Sequence, residues 1–388
     1  MNTASHQIAR LSRRVSSLVA LTLLLFVSTT FSAELSFLYD GCTVRLPARV
    51  DGQSADLIFD TGSTISALDK TTFLSRLGDS ISEATANSIA GEVTLDLYRS
   101  PEILVDHIAV GLRRIAAVDL STVRAISGSE CDGILGIDFA RERVIGLDFD
   151  HRLVSINQSE SGLPPAGALC LPMKPIGNGN VAVDATVEGV PVTFMIDTGD
   201  NGSISLNPTD WQRVLRSHST ADVHTILASA VSGKVIQTSG LRVSDLVIGA
   251  NHYTGFVATE VRNSHGVSTL GLRFLRQHLA IFDFRTDNLY LSPGASFGEK
   301  ENFDMSGLHL VRSHGETIVY AVDSNSPAAT AGIQPGDALE KINNVTVDDL
   351  SLRQIRRELK SNDGRTVSLT IRHDNQLLDD RLELKKIL

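Results

Sequence analysis

Two segments of this chain repeat each other, and that repetition constrains the fold more than any other feature. The first is FDTGSTISAL, residues 59–68; the second is MIDTGDNGSISL, residues 195–206. In each, apolar residues lead into Asp-Thr-Gly, small residues follow, and an apolar run closes the segment. Average residue usage predicts roughly a tenth of one Asp-Thr-Gly in a chain of this length. The likeness continues downstream. DGILGIDF (132–139) and VIGLDFDHRLVSI (144–156) follow the first copy, and STLGLRFL (268–275) and LAIFDFRTDNLYL (279–291) follow the second. Gly136 to Gly271 spans 135 residues, as does Asp148 to Asp283, and Asp60 to Asp197 spans 137. A long internal repeat nearly in register means that one structural unit is built twice.

Each unit reads as all-β. Val44, Leu46, Ala48 and Val50 alternate with Arg45, Pro47 and Arg49, and Asp51-Gly52 marks a turn. Ala55 to Phe59 returns as a strand that ends at Asp60. Ser88 to Leu97 straddles Gly91 as a hairpin, and Ile103 to Leu120 holds further short strands. GLPPAG (162–167) links the repeats. In the second repeat Val190-Pro191-Val192 leads a strand into Asp197, a hairpin is centred on Gly233, and Trp211 to Arg216 is a short helix. Short elements with turn residues every eight to twelve positions point to a mainly β fold.

These motifs resemble the lobes of retropepsin- and pepsin-like aspartic proteases, over roughly residues 40 to 293. The motif in each half is an apolar pair, Asp-Thr-Gly, and later Ile134-Leu135-Gly136 or Thr269-Leu270-Gly271. The resemblance implies that these two triplets pass behind the aspartate loops and support them. Two copies in one chain imply a covalent pseudo-dimer of β-barrel-like lobes, 34–162 and 163–293, with Asp60 and Asp197 as the catalytic dyad.

The chemistry accounts for the residue types. Two carboxyls in one site cannot both ionise easily, so one activates water and the other donates a proton. Gly62 and Gly199 let the backbone turn with no Cβ in the way. Thr61 and Thr198 are placed to hydrogen-bond across the interface, and Ser63 to donate its hydroxyl to Asp60. Asp200 departs from the family pattern, which has Ser, Thr or Ala there. Three readings stay open for it: a third charge that raises the pKa values of the dyad, a cap on the Asn201-Gly202 turn that leaves the dyad untouched, or the mark of a lobe that has lost catalysis. Neither hairpin tip carries an obvious Tyr, which leaves Tyr98 as the candidate cover of the cleft.

The net charge of −10 argues against nucleic acid as a partner. Residues 1–33 have the form of a secretory signal peptide: Arg10, Arg13 and Arg14, then the apolar run Leu18 to Val27, then small residues with cleavage near Ser32 or Ala33. Export to a periplasmic or extracellular space follows as an expectation, with an uncleaved signal anchor as the alternative. Cys42, Cys131 and Cys170 cannot all pair within one chain. No Cys or His spacing fits a metal, and no cofactor is expected.

The C-terminal stretch is different in kind. GASFGEKENF (294–303) reads as a linker. Ser326 caps a short helix with Pro327 in its first turn and Gly332 past its end. Pro335-Gly336 fits a type II turn. Ala338 to Ile342 is a strand, and Asp348 or Asp349 caps a second helix carrying Leu352, Ile355 and Leu359. The string SPAATAGIQPGD resembles the core signature of a PDZ domain, over about 300–388. That resemblance implies an α+β module binding an extended peptide beside a helix. Ser306, Gly307, Leu308 and His309 would form the loop that receives a terminal carboxylate. Leu352 and Ile355 would line the pocket, although Leu352 fits the core equally well. The whole chain reads as an exported aspartic endopeptidase with peptide or protein substrates and a PDZ ligand peptide. The alternative is a non-catalytic peptide-binding scaffold that uses both modules, and a further one is a protease dedicated to a single membrane or envelope protein.

Overall fold

The computed structural model describes residues 33–88, 91–157, 164–177, 179–217, 223–229, 235–261 and 266–387. The signal-like segment, apart from Ala33, and the tips of both long hairpins lie outside the described residues. The chain is mainly β.

Each lobe begins with the same hairpin. In the first, Val44–Val50 pairs with Gln53–Phe59. Their two-residue turn holds Asp51 at φ 45° and Gly52 at φ 80°. In the second, Val181–Val187 pairs with Val190–Ile196 around Glu188 (φ 50°) and Gly189 (φ 77°). Two successive positive φ values match the twist of the flanking strands, so the turn sets the register of both. Alternate residues of the first strand, Val44, Leu46, Ala48 and Val50, are buried, as the period-two pattern predicts.

The strand ending at Phe59 runs parallel to Gly133–Leu135, and the one ending at Ile196 runs parallel to Ser268–Leu270. Each lobe is a ten-stranded curled sheet. Both long hairpins are present, the first longer than read: Ser82–Ser88 pairs with Gly91–Arg99, so Gly91 opens the second strand, and His224–Ser229 pairs with Val235–Arg242, with Gly233 outside the described residues. The helix read over 211–216 spans Pro208–Ser217.

A third, six-stranded sheet joins the lobes. Its order is Ala33–Ser36, Leu153–Asn157 and Val144–Asp148 from the first, then His278–Asp283, Asn288–Pro293 and Leu169–Pro172 from the second. Gly146 faces Ile281 at its centre. These two residues are themselves related by the 135-residue offset of the repeat, so the pseudo-twofold axis passes between them. One apolar core runs through both lobes.

The C-terminal sheet is ordered Leu308–Ser313, Glu316–Val322, Ala338–Ile342, Thr366–His373, Gln376–Glu383 and has a core of its own. Ser326 caps Pro327–Thr330 by accepting from the Ala329 amide, and Gly332 (φ 81°) and Gly336 (φ 99°) take the turn positions read for them. The cap of the next helix differs from the reading. Asp348 and Asp349 fall in a 3₁₀ turn, Val347–Asp349, and Ser351 caps Leu352–Glu358 through a capping box with Gln354. Ser at the cap accepts from the Gln354 amide while the Gln354 side chain accepts from the Ser351 amide, a reciprocal pair. Tyr98 is also corrected: it is buried in the lobe core, 7% exposed, and does not cover the cleft.

Candidate active site

The two aspartate loops meet at the pseudo-twofold axis. Each aspartate follows the last residue of its strand, and its amide is held from the neighbouring parallel strand: Asp60 N–H donates to Leu135 O at 3.0 Å, and Asp197 N–H to Leu270 O at 3.0 Å. The second motif of each lobe therefore stands behind the aspartate loop. Its glycine is sterically required. A Cβ on Gly136 would lie 2.7 Å from Ser63 O, and one on Gly271 2.6 Å from Asp200 O.

The lobes are locked by a reciprocal exchange. Thr61 N–H donates to Thr198 Oγ1 (2.9 Å), and Thr198 N–H donates to Thr61 Oγ1 (3.0 Å). Each hydroxyl then donates across the interface, Thr61 to Ile196 O (2.7 Å) and Thr198 to Phe59 O (2.8 Å). Both threonines are fully buried. The cross-lobe bonding foreseen for Thr61 and Thr198 thus amounts to four bonds. A contact the sequence did not disclose adds to them: Asn180 Nδ2 donates to Thr61 O at 2.7 Å.

This lock brings Asp60 and Asp197 together. A Cβ on Gly62 would lie 2.5 Å from Asp197 Cγ, and one on Gly199 2.5 Å from Asp60 Cγ. Each glycine is required by the carboxyl of the opposite lobe. Asp60 Oδ1 accepts from the amides of Gly62 (2.9 Å) and Ser63 (3.1 Å), and Asp197 Oδ1 from those of Gly199 (2.8 Å) and Asp200 (3.1 Å). The role read for the Ser63 hydroxyl is not found. It donates to Ile65 O at 2.9 Å, and only the Ser63 amide reaches Asp60.

Burial raises Asp60 above the ordinary aspartate value. The Gly62 amide, a hydrogen bond shared with Asp197 and the Ser63 amide pull it back. Asp197 is raised well above that value by burial, then by the charge of Asp60, then by that of Asp200, against the Gly199 amide. The pair titrates as a unit, and both members are raised.

Asp200 combines two of its three readings. Oδ1 accepts from the Gly202 amide (2.7 Å), and Oδ2 from Ser205 Oγ (2.7 Å) and Thr269 Oγ1 (2.5 Å). It caps the turn, and its charge still reaches both members of the pair. Thr269 is its complement: the second lobe has a hydroxyl where the first has Ile134.

The lobes differ again one layer out. In the first, Asp138 accepts from the amide and hydroxyl of Ser66, and Ser66 Oγ accepts from the Gly136 amide. The repeat puts Ser203 where Ser66 stands and Arg273 where Asp138 stands. The carboxylate missing from the second lobe comes from residues 294–303. Glu301, 5% exposed, accepts from Ser203 Oγ (2.5 Å) and the Val257 amide (2.9 Å) and pairs with Arg273. That segment carries no regular element and is mostly exposed, as a linker is, but Glu301 ties it to the second lobe.

The residues assigned to the PDZ pocket are placed otherwise than foreseen. Leu352 (1% exposed) belongs to the buried core, the alternative read for it, and Ile355 (0%) lies there as well. Ser306 N–H and Gly307 N–H donate to Asp304 Oδ1 (2.8 and 2.7 Å), and Leu308 N–H donates to Ser306 Oγ (3.1 Å). His309 pairs with Asp323 at 2.9 Å. The loop amides read as a receptor for a terminal carboxylate are already bonded to the chain's own groups. All three cysteines are free.

No curated protein matches the chain. Residues 46–139, from the first strand of the opening hairpin through the Gly136 motif, match the family model described as aspartyl protease. Residues 318–373 match the model of the PDZ domain. The chain therefore joins an aspartyl protease domain to a C-terminal PDZ domain.

Proposed function

We propose that this chain is an exported aspartic endopeptidase whose dyad is Asp60 and Asp197. The reciprocal fit of Gly62 against Asp197 and Gly199 against Asp60, locked by Thr61 and Thr198, carries the reading. That arrangement leaves two carboxyls facing one point, which is what peptide hydrolysis with a bound water requires. The two Oδ1 atoms are each held by two loop amides, and the ionised member of the pair takes a proton from the water. The other member keeps its proton and donates it to the carbonyl oxygen of the scissile bond. The water oxygen bonds to the carbonyl carbon. The C–N bond then breaks, the proton taken from the water goes to the leaving amine, and a hydroxyl of the tetrahedral carbon returns its proton to the other carboxylate as the product acid forms. Export rests on the Arg-rich start and the apolar run of residues 1–33.

The test is incubation of the full chain with a mixed peptide library, with and without a statine peptide that mimics the tetrahedral intermediate. Cleavage that the statine peptide blocks is the expected result. A folded protein that cleaves nothing across the accessible pH range would leave the scaffold reading in its place.

The electrostatics of Asp200 give a second expectation. Its charge favours protonation of both dyad members, so the natural pH–rate bell is displaced upward. Asp200→Asn keeps an oxygen for the Gly202 amide and removes the charge. Both limbs of the bell should move to lower pH. A bell that stays in place would show that the turn cap alone explains Asp200.

A further inference from the structure

A PDZ domain takes a peptide as an added strand on its free sheet edge, with the peptide's carboxylate held by loop amides. Here the edge strand is Leu308–Ser313, which pairs within its sheet only with Glu316–Val322. Several groups that a peptide would use are already engaged. Helix Ser121–Ser127 of the first lobe packs along this strand. Arg356, on the PDZ helix, spans the gap: its Nη2 donates to Ile126 O in the lobe (2.7 Å) and to Leu310 O in the edge strand (2.8 Å). Gly128 ends the lobe helix at φ 70°, and a Cβ there would lie 2.7 Å from Leu352 Cβ. The lobe backbone thus lies directly on the apolar floor of the groove. Arg353 continues the contact, donating to Tyr39 O at 3.0 Å and lying over the Tyr39 ring. At the loop end Asp304 accepts from the Ser306 and Gly307 amides, in the manner of a ligand's terminal carboxylate.

We infer that the PDZ groove is a receptor latched shut by the chain itself, with residues 121–128 standing where a peptide strand would lie and Asp304 standing for its carboxylate. The ligand class it fits is a peptide with a free C-terminal carboxylate and an apolar last residue, since the side chain that Gly128 lies against is Leu352. Such a peptide binds only by displacing the lobe helix and Asp304 together. Its apparent affinity in the full chain is its intrinsic affinity multiplied by the fraction of unlatched molecules.

The test is a titration of the full chain with labelled short peptides ending in Leu, Val or Phe, beside the same peptides with amidated ends. Three variants weaken the latch at separate points. Gly128→Val drives the lobe helix off Leu352, Arg356→Gln cuts the bridge to Ile126 and Leu310, and Asp304→Ala frees the loop amides. Each should bind at least one carboxylate-ended peptide about tenfold or more tightly than the natural chain does, and the amidated forms should not gain. Equal affinity for natural chain and variants would overturn the proposal, as would folded variants that bind none of the peptides. Should the variants fail to fold, hydrogen exchange on the natural chain decides. The latch requires slow exchange at amides 126–128 and 307–308, and exchange as fast as at an exposed turn would rule it out. None of these readouts depends on peptide hydrolysis.

Discussion

Asp60→Asn and Asp197→Asn should each remove peptide hydrolysis, and mixing the two variants should not restore it. A single positioned proton-transfer group contributes roughly 10²–10⁴-fold to rate. In the proposed mechanism each of these aspartates serves more than one step, so a loss of about 10³-fold or more is expected in kcat. The lobes share one core and a six-stranded sheet within one chain. Their dyad needs no second copy, and activity per chain should be unchanged on dilution. Restoration on mixing would mean that carboxyls from different chains meet. The same variants carry a stability signature of known sign. Asp197 has its folded pKa raised well above the ordinary value. The folded chain therefore binds more protons than the unfolded chain between those two values, and the natural protein loses stability as pH rises through that window. Asp197→Asn removes this loss. It should raise the melting temperature at neutral pH, with the gain shrinking toward acid. A melting curve unchanged at every pH would show that Asp197 is not raised.

The fold was largely legible because it is written twice. An offset preserved from the Asp-Thr-Gly segments to the strands at Asp148 and Asp283 leaves little freedom in how the halves pair. The dyad, its glycines and the supporting triplets follow from that offset and from steric need. What the sequence hid lies where the two copies differ. Asp200 and Thr269 each depart from the first lobe, at Ser63 and Ile134. They bond to each other, so reading the two departures together would have exposed the pair. Ser63 misled because its hydroxyl has a closer acceptor in Ile65 O than the carboxylate it was expected to reach. The PDZ groove was beyond reach for a different reason. Contacts between Arg356 and Ile126 join residues far apart in the chain and belong to no repeat. Periodicity marks Leu352 and Ile355 as one apolar face but not what covers it.

Replacing Glu301 should disable the second lobe although it lies outside both repeats. Ser203 and Arg273 stand where the first lobe has Ser66 and Asp138, so the second lobe imports its carboxylate from the segment leading to the PDZ domain. Burial pushes the Glu301 carboxyl up. Arg273, the Ser203 hydroxyl and the Val257 amide outweigh this and hold it below the ordinary glutamate value. Glu301→Gln leaves the Arg273 side chain, only 24% exposed, without its counter-charge. Removing one partner of such a pair costs about 3 kcal/mol. The effect should reach the dyad, because the Arg273 amide donates to Gly202 O and the Gly271 amide to Ser203 O, both in the loop that carries Asp197. A fall in kcat larger than any rise in KM is expected, since a misplaced carboxyl harms the transition state more than substrate binding. Glu301→Asp should recover part of the rate. The pH trend is opposite in sign to that of the dyad. A depressed carboxyl contributes stability above its ordinary value that is lost as pH falls through the folded one, so natural and Gln chains should converge in strong acid. Cutting the chain after Pro293 removes Glu301 together with the PDZ domain and should be at least as damaging as Glu301→Gln. A truncated chain that stays folded and fully active would show instead that the second aspartate loop holds its shape without the carboxylate, and that the PDZ domain is attached to a protease complete at residue 293.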